Sequence, residues 1–285
     1  MLERDGARRD LRGVSFVHPT PHDAYANDLP ARAAAIDCPR APRQGRGHMT
    51  AVTPISVGMV LFDGLAQLDL TGPYEVLARM PDTRVHLVAA SREPVRSEWG
   101  LAIVPDATFD DAPPIDVLCV PGGWGVNARL TDDALLAFLR ARGERARYVT
   151  SVCSGALLLG AAGLLRGYRA TTHWLSLDLL PLLGAEAVDA RVVHDRNRIT
   201  GAGVTAGVDF ALMLAAELFG EPVAQRIQLA IEYDPAPPFT SGSPRTAPPE
   251  VRTAVLRNSA SSLAERTAVV ERVAAALKTA SGLFK

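Results

Sequence analysis

A cysteine stands between a strand-like apolar segment and a helix-like apolar segment in Tyr148-Val149-Thr150-Ser151-Val152-Cys153-Ser154-Gly155-Ala156. Such a strand–turn–helix order raises a nucleophile above the carboxyl end of a parallel sheet, where α/β proteins place their sites. The first helical amides would face the sulfur, and the helix dipole would lower the thiol pKa below its usual value of about 8.5. The pattern predicts that Cys153 is a catalytic nucleophile, whereas Cys119, inside an apolar strand, is expected to be a core residue.

A second candidate residue, Asp69, follows the first apolar strand, in Gln67-Leu68-Asp69-Leu70-Thr71-Gly72-Pro73. Taken alone, Asp69 is a typical helix N-cap or first-turn acid of a helix that begins near Thr71. The first strand of a parallel sheet often lies centrally, so its carboxyl end would face the same crevice as Cys153. A carboxyl group next to a thiol can exchange protons with a substrate or orient a water molecule.

Two further motifs could complete such a site. Pro121-Gly122-Gly123 closes an apolar strand, and its amides could stabilise an anion. The amides of Gly123 and Ser154 are therefore candidate oxyanion donors. His173, in Thr171-Thr172-His173-Trp174, is a candidate substrate contact, although a lone histidine beside tryptophan is more often a hydrogen-bonded core residue.

The chain lacks the motifs of several other chemistries. There is no GK[ST] phosphate loop, no GxGxxG, no HExxH, no paired CxxC and no GxSxG. We therefore expect no metal site and no organic cofactor.

Strand-like and helix-like segments alternate from Met49 onward. Several of the strands are apolar on both faces, which predicts a mainly parallel sheet covered by helices on both sides. After Pro249, residues 250–280 form one amphipathic helix that packs on the domain or on a second subunit. The expected strands begin at Ile55, Val85, Ile115, Ala146, Tyr168, Val192 and Ile199, and the expected helices at Thr71, Leu130, Ser154, Val204 and Pro222.

Residues 1–48 differ from the rest of the chain. They hold eight arginines and six acidic residues, with no persistent period and no apolar core of a secretory signal. This composition predicts a disordered leader of one domain that spans residues 49–285. Met49 directly precedes the first convincing strand and is a candidate start.

The composition of the 285 residues excludes several classes of protein. Apolar residues make up 48% and the formal net charge is −1, which gives no electrostatic case for binding nucleic acid or an anionic membrane. No apolar run reaches the ~18 residues of a membrane span. Three cysteines at irregular spacing are typical of free thiols in a reducing compartment, so we expect a cytoplasmic protein.

Five motifs together resemble the ThiJ/PfpI superfamily, whose fold is that of the class I glutamine amidotransferases, and within it the isocyanide (isonitrile) hydratases. The motifs are QLDLTGP (67–73), YVTSVCSGALLLGAAGLL (148–165), RATTHW (169–174), TGAGVTAGVDFAL (200–212) and EYDPAPPFTSGSP (232–244). The resemblance covers nearly everything after Met49.

The resemblance implies a flavodoxin-like sheet, a homodimer and hydration of R–N≡C to R–NH–CHO. It assigns Cys153 as nucleophile and Asp69 as the neighbouring acid, where many other members of the superfamily carry glutamate. The hydratases commonly have threonine after the cysteine, so Ser154 is a departure that keeps the hydroxyl and loses a methyl. Members that resemble proteases have histidine there, which argues against peptidase activity.

Three other functions are compatible with the same motifs. The first is glyoxalase or deglycase chemistry on aldehydes, against which the aspartate at position 69 argues. The second is a ligand-sensing domain of a transcription regulator; the roughly 36 residues after Pro249 predict one helix, not a two-helix DNA-binding unit. The third is a redox-responsive chaperone in which Cys153 acts as a sensor.

Overall fold

A mostly parallel sheet runs through residues 54–282, the part of the chain that the computed structural model describes. The predicted leader and Met49 lie outside the described residues. The strands are β1 (Ile55–Val60), β2 (Thr83–Ala89), β3 (Val95–Arg96), β4 (Ala102–Ile103), β5 (Ala107–Thr108), β6 (Val117–Val120), β7 (Tyr148–Val152), β8 (Arg169–Ala170), β9 (Glu186–Ala187), β10 (Val192–Asp195) and β11 (Arg198–Gly201).

Seven α-helices lie between or after these strands. They are α1 (Gln67–Leu77), α2 (Val126–Arg129), α3 (Asp133–Gly143), α4 (Gly155–Ala161), α5 (Ala206–Phe219), α6 (Glu221–Ala230) and α7 (Pro249–Gly282), with 3-10 turns at Trp174–Leu179 and Pro181–Leu183. Within the described residues, no helix combines the length and the apolar character that crossing a membrane requires.

The main sheet has seven strands in the order β10-β11-β7-β6-β1-β2-β5. All neighbours pair in parallel except β10, which is antiparallel to β11. The run β2-β1-β6-β7-β11 is the flavodoxin order, with the switch point between β1 and β6. Every residue of β6 and β7 is buried, as expected for strands covered on both faces. The predicted fold class is confirmed.

The helices flank this sheet in two groups. Helices α1 and α5 pack against each other and over β2, β7 and β11, while α3 and α4 pack against each other and over β6. These contacts hold the strands in place, so the loops at the carboxyl edge of the sheet stand on a rigid base.

The C-terminal helix α7 packs on the same domain. It contacts α2, α4 and both 3-10 turns, and it buries Val269, Val270 and Ala274. The helix predicted over residues 250–280 is thus confirmed. Its N-terminal apolar residues behave differently, since Val251 and Val255 remain 41% and 40% exposed.

Candidate active site

Loops from three strands and a hairpin meet at the carboxyl edge of the sheet. The Ala66 amide, after β1, donates to the Gly122 carbonyl, after β6, at 2.9 Å. The Glu98 amide, in the turn between β3 and β4, donates to the Leu65 carbonyl at 2.9 Å. Cys153 follows β7 at the same edge. The fold therefore brings together the motifs after β1, β6 and β7 that the sequence singled out.

Cys153 is held in a left-handed backbone conformation, with φ of +55°. Its amide donates to the Gly201 carbonyl at 3.0 Å, and its own carbonyl accepts from Thr172 Oγ1 at 2.7 Å. Residues other than glycine rarely adopt this conformation, and those that do cluster at functional sites because neighbouring bonds must hold the strain. The predicted elbow is present.

Asp69 lies fully buried beneath the elbow. Its Oδ2 accepts from the Gly122 amide at 2.8 Å, whereas its Oδ1 has no hydrogen-bond partner among the described residues. Burial raises the pKa of Asp69 to about 7; the Gly122 amide opposes this shift, and the charge of Glu98 adds to it. A carboxyl with such a pKa exchanges protons readily near neutral pH.

The predicted start of α1 near Thr71 is wrong, because the helix begins at Gln67 and carries Pro73 inside it. Asp69 thus belongs to the first turn. It still does not act as the cap, because no side chain caps this helix and Asp69 accepts from the neighbouring β6 loop instead.

The expectation that the elbow lowers the pKa of the Cys153 thiol is also wrong for this state. Burial raises the pKa of Cys153, and the nearby Asp69 charge raises it further. The Ser154 backbone amide, Arg266 and the Ser154 side chain lower it without overcoming burial. Desolvation therefore outweighs the helix terminus, and the resting pair is a neutral thiol beside an acid that is half ionised near pH 7.

The side chain of Ser154 is tied to the glycine loop. The Gly123 amide donates to Ser154 Oγ at 3.1 Å, and Ser154 Oγ donates to the Gly123 carbonyl oxygen at 3.3 Å. The Gly123 amide is therefore engaged in this state and not free to receive an anion. Gly123 has a φ of +128°, and a Cβ there would lie 2.4 Å from the Gly64 carbonyl oxygen. Glycine is required at this position for packing, whatever its role toward a substrate.

His173 lies on the wall of the same cavity. Its Nδ1 accepts from the Leu175 amide at 3.3 Å, which places the proton of the neutral ring on Nε2. Burial, aided by the charge of Arg266, lowers the pKa of His173 to about 4. His173 is thus neutral near pH 7 and can donate a hydrogen bond from Nε2, while its basic Nδ1 is already engaged by the Leu175 amide.

A cavity of about 250 Å³ opens over Cys153 and Ser154. Part of its wall comes from residues that the sequence did not mark as functional: Glu98, Trp124, and, on α7, Val255, Ser259, Ser262, Leu263 and Arg266. The amphipathic pattern of residues 250–280 predicted a helix that packs through an apolar face. It did not identify which polar residue of that helix would line the cavity. Among residues 54–282, no group of three or more histidine, cysteine, aspartate or glutamate side chains could hold a metal ion.

Residues 55–217 match the family model described as the DJ-1/PfpI family. The chain belongs to the DJ-1/PfpI family. The elbow after β7, the acid after β1 and the flavodoxin order are thus features of a DJ-1/PfpI protein.

Two similar proteins cover most of the chain and nearly all of their own length. The isonitrile hydratase of Pseudomonas putida is 56% identical over 223 residues, which are 78% of this chain and 98% of that protein. The crystal structure of a ThiJ/PfpI family protein from Pseudomonas syringae superimposes with a TM-score of 0.76 at 47% identity, covering 81% of this chain and 97% of that one.

A third similar protein belongs to another functional class. The HTH-type transcriptional regulator GbdR of Pseudomonas aeruginosa is 32% identical over 205 residues, which are 69% of this chain and 54% of that protein. This DJ-1/PfpI chain therefore matches about half of the regulator and nearly the whole of the hydratase.

Proposed function

We propose that the protein is an isonitrile hydratase, an enzyme that adds water to R–N≡C and releases R–NH–CHO. The observation that carries the proposal is the neutral Cys153 thiol beside a buried Asp69 whose pKa is about 7. The 56% identity to the Pseudomonas putida isonitrile hydratase, over nearly the whole of that protein, supports the same reaction.

In the first step the isonitrile carbon receives both a nucleophile and a proton. The Asp69 carboxylate takes the thiol proton, Cys153 Sγ forms a bond to the terminal carbon, and the proton passes from Asp69 to that same carbon. The product is a thioimidate, Cys153–S–CH=N–R, in which every atom of the thiol and of the isonitrile is retained. A pKa of about 7 leaves part of Asp69 ionised near neutral pH, so its carboxylate can take this proton as sulfur bonds to carbon and then pass it on.

In the second step water replaces the sulfur. Asp69, ionised again, takes a proton from water as the water oxygen attacks the thioimidate carbon, and Asp69 passes this proton to the nitrogen. The C–S bond then breaks as the new hydroxyl becomes a carbonyl, the hydroxyl proton goes to the sulfur through Asp69, and the formamide leaves. Dividing the hydration into two additions is the general advantage of covalent catalysis.

The walls of the cavity favour a small, uncharged R group. Leu175, Val204 and Leu263 give it apolar surface, and its volume is about 250 Å³. Since Glu98 and Arg266 place charges of both signs on the wall, a charged R group would meet one unfavourable partner. The Nε2–H of His173 and the hydroxyl of Ser154 are the proposed donors to the thioimidate nitrogen and to the oxygen that water adds.

The test is to mix the purified protein with cyclohexyl isonitrile and measure N-cyclohexylformamide by chromatography. Wild type should form it, and Cys153→Ala and Asp69→Asn should each abolish it; the matched control Cys119→Ala should keep turnover. Because the two groups act as a unit, the double variant should be little worse than either single one. A parallel incubation with methylglyoxal tests the aldehyde-directed alternative. Loss of methylglyoxal there, with no formamide formed from the isonitrile, would establish that alternative instead.

We also propose a cytoplasmic homodimer. Apolar residues of α7 stay exposed, among them Val251, Val255 and Leu256, and a second copy could cover them. The free thiols Cys119 and Cys153 suit a reducing compartment. Light scattering at micromolar concentration should give twice the chain mass, and a monomer mass would contradict the dimer.

A further inference from the structure

Arg266 on α7 is a buried cation in the wall of the active-site cavity, with 8% of its surface exposed. Its three donor groups reach three different elements. Nε donates to Asn127 Oδ1 at 2.8 Å, Nη1 to Ser176 Oγ at 2.9 Å, and Nη2 to the Gly123 carbonyl at 3.4 Å. The guanidinium therefore joins α7 to the loop that follows β6.

All three partners of Arg266 are neutral. Among residues 54–282, no carboxylate forms a salt bridge with it. Burying a charge with only neutral partners costs free energy, and an apolar side chain of similar volume is often as stable or more so. Packing alone thus gives a weak reason for arginine at this position, whereas an anion formed in the cavity would be a partner for it.

We propose that Arg266 is a positioning residue for the chemistry of Cys153. It holds the Gly123 carbonyl, and through it the Ser154 hydroxyl, and its charge stabilises the sulfur anion that forms while Asp69 carries the proton. The second part of this proposal rests on the mechanism proposed above.

The charges around Cys153 explain why one cation matters. Asp69, on α1, is the carboxyl whose charge acts on the sulfur. Glu98, in the β3–β4 turn, and neutral His173, after β8, line the same cavity, and Glu265 neighbours Arg266 on α7. When the thiol proton moves to Asp69, negative charge moves from the carboxylate to the sulfur. Arg266 is the cation among the described residues that line this cavity, and it lowers the pKa of Cys153, whereas the charge of Asp69 raises it and the charge of Glu98 raises the pKa of Asp69.

The experiment compares Arg266→Gln, which removes the charge, with Arg266→Lys, which keeps it. Two rates are measured between pH 6 and 10: alkylation of Cys153 by iodoacetamide and hydration of cyclohexyl isonitrile. The matched control is Arg198→Gln. Arg198 is also a buried arginine, 7% exposed, whose Nε donates to the Leu164 carbonyl, but it begins β11, at the opposite end of that strand from the Cys153 edge.

In Arg266→Gln the alkylation profile should move upward by about one pH unit, the low end of the effect of a nearby charge. At a fixed pH below both pKa values this is a tenfold smaller thiolate fraction, and kcat/KM should fall by about tenfold. Arg266→Lys should keep a profile within about 0.3 units of wild type. Arg198→Gln should lower the melting temperature and leave the profile unmoved.

A folded Arg266→Gln variant with the wild-type profile, or a lysine variant shifted as far as the glutamine variant, would overturn the proposal. If Arg266→Gln does not fold, Arg266→Met decides, because methionine fills a similar buried volume without the charge. Its profile should also shift upward, and an unshifted profile contradicts the proposal. Alkylation needs no isonitrile, so the expected shift in Arg266→Gln, together with a wild-type protein that forms no formamide, would refute the hydratase proposal alone.

Discussion

Burial raises the pKa of both neighbouring acids of this site, Asp69 and Cys153, and thereby sets their protonation states. Each pKa rises because the anion loses water. The carboxyl starts far lower, so it is the member of the pair that is partly ionised near pH 7, and this carboxylate is the proposed acceptor for the thiol proton. A neutral thiol suits a substrate whose reacting carbon must gain sulfur and hydrogen together.

Cys153 should be the only one of the two described thiols to react in the folded protein. Cys119 has no exposed surface, and burial raises its pKa to about 12, whereas Cys153 lines the cavity. Because the pKa of Cys153 lies above its usual value, labelling should rise about tenfold per pH unit between pH 7 and 8. Mass spectrometry of a Cys38→Ser protein after brief iodoacetamide treatment measures this, and preferential labelling of Cys119 would contradict the site.

Asp69→Glu should lower formamide production by roughly 10²-fold while Cys153 still reacts with iodoacetamide. The added methylene moves the carboxyl by about 1 Å from the Gly122 amide that now orients it, and a misplacement of that size can cost on the order of 10² in rate. Steady-state kinetics with cyclohexyl isonitrile provides the measurement. Wild-type turnover by the glutamate variant would mean that the position of the acid does not limit the reaction.

Among the elements, the glycine loop after β6 and the elbow after β7 fit against each other with no spare space. A Cβ on Gly122 would lie 2.5 Å from the Ser154 amide nitrogen and 2.9 Å from Asp69 Oδ2. A Cβ on Gly155 would lie 2.3 Å from the Val120 carbonyl oxygen. The close approach of these two backbone segments therefore sets the distance between Asp69 and the elbow at Cys153, and side chains fill only the remaining space.

Gly122→Ala should reduce hydration by at least 10²-fold and destabilise the fold by a few kcal/mol, because backbone atoms must shift to admit the methyl group. The matched control is Gly242→Ala, whose Cβ would meet nothing within 4 Å. Denaturant unfolding and turnover should show both losses in the first variant and neither in the second. Equal effects in the two variants would show that the close approach at Gly122 has no special cost.

The sequence predicted the elements that meet at the site better than it predicted the walls of the cavity. Strand–turn–helix order and apolar strands fix which loops share an edge, so Cys153, Asp69 and Gly123 were identifiable. Arg266 lies 113 positions after Cys153 in a helix whose pattern shows an apolar stripe but not its polar inward residues. Its role depends on how α7 crosses the domain, which local periodicity does not encode.

The start of α1 shows a second limit of sequence patterns. Thr71-Gly72-Pro73 resembles a helix start because proline is favoured in the first turn. The helix begins four residues earlier, at Gln67, because the loop after β1 is fixed by backbone bonds to Gly122 and Glu98. Tertiary contacts that no local propensity contains decided this boundary.

For the whole molecule, a protein that starts at Met49 should keep the melting temperature and turnover of the full chain. The composition of residues 1–48 offers too little apolar surface to offset the entropy of ordering them. Calorimetry and the formamide assay on the two proteins check this. A melting temperature several degrees lower, or lost turnover, would show that the segment packs on the domain.

Asp69, the acid proposed to serve the reaction, should also weaken the fold. The pKa of Asp69 rises from 3.8 to about 7 on folding, so between these values the folded state holds a proton that the unfolded state has released. Its contribution to stability is complete below about pH 4 and is lost as the pH rises through 7. At about 1.36 kcal/mol per pKa unit the loss amounts to a few kcal/mol.

Asp69→Asn, which cannot ionise, should therefore gain stability relative to wild type as the pH increases from 5 to 8, and this gain should be a few kcal/mol in the free energy of unfolding. The control is Asp111→Asn. The Thr108 amide and Arg92 lower the pKa of Asp111 to about 2, so the difference of that variant from wild type should stay constant over the same range. Urea unfolding at pH 5, 6, 7 and 8 measures both differences. If the Asp69→Asn difference does not grow with pH, Asp69 is ionised throughout in the folded protein, and it cannot carry a proton between sulfur and carbon at neutral pH.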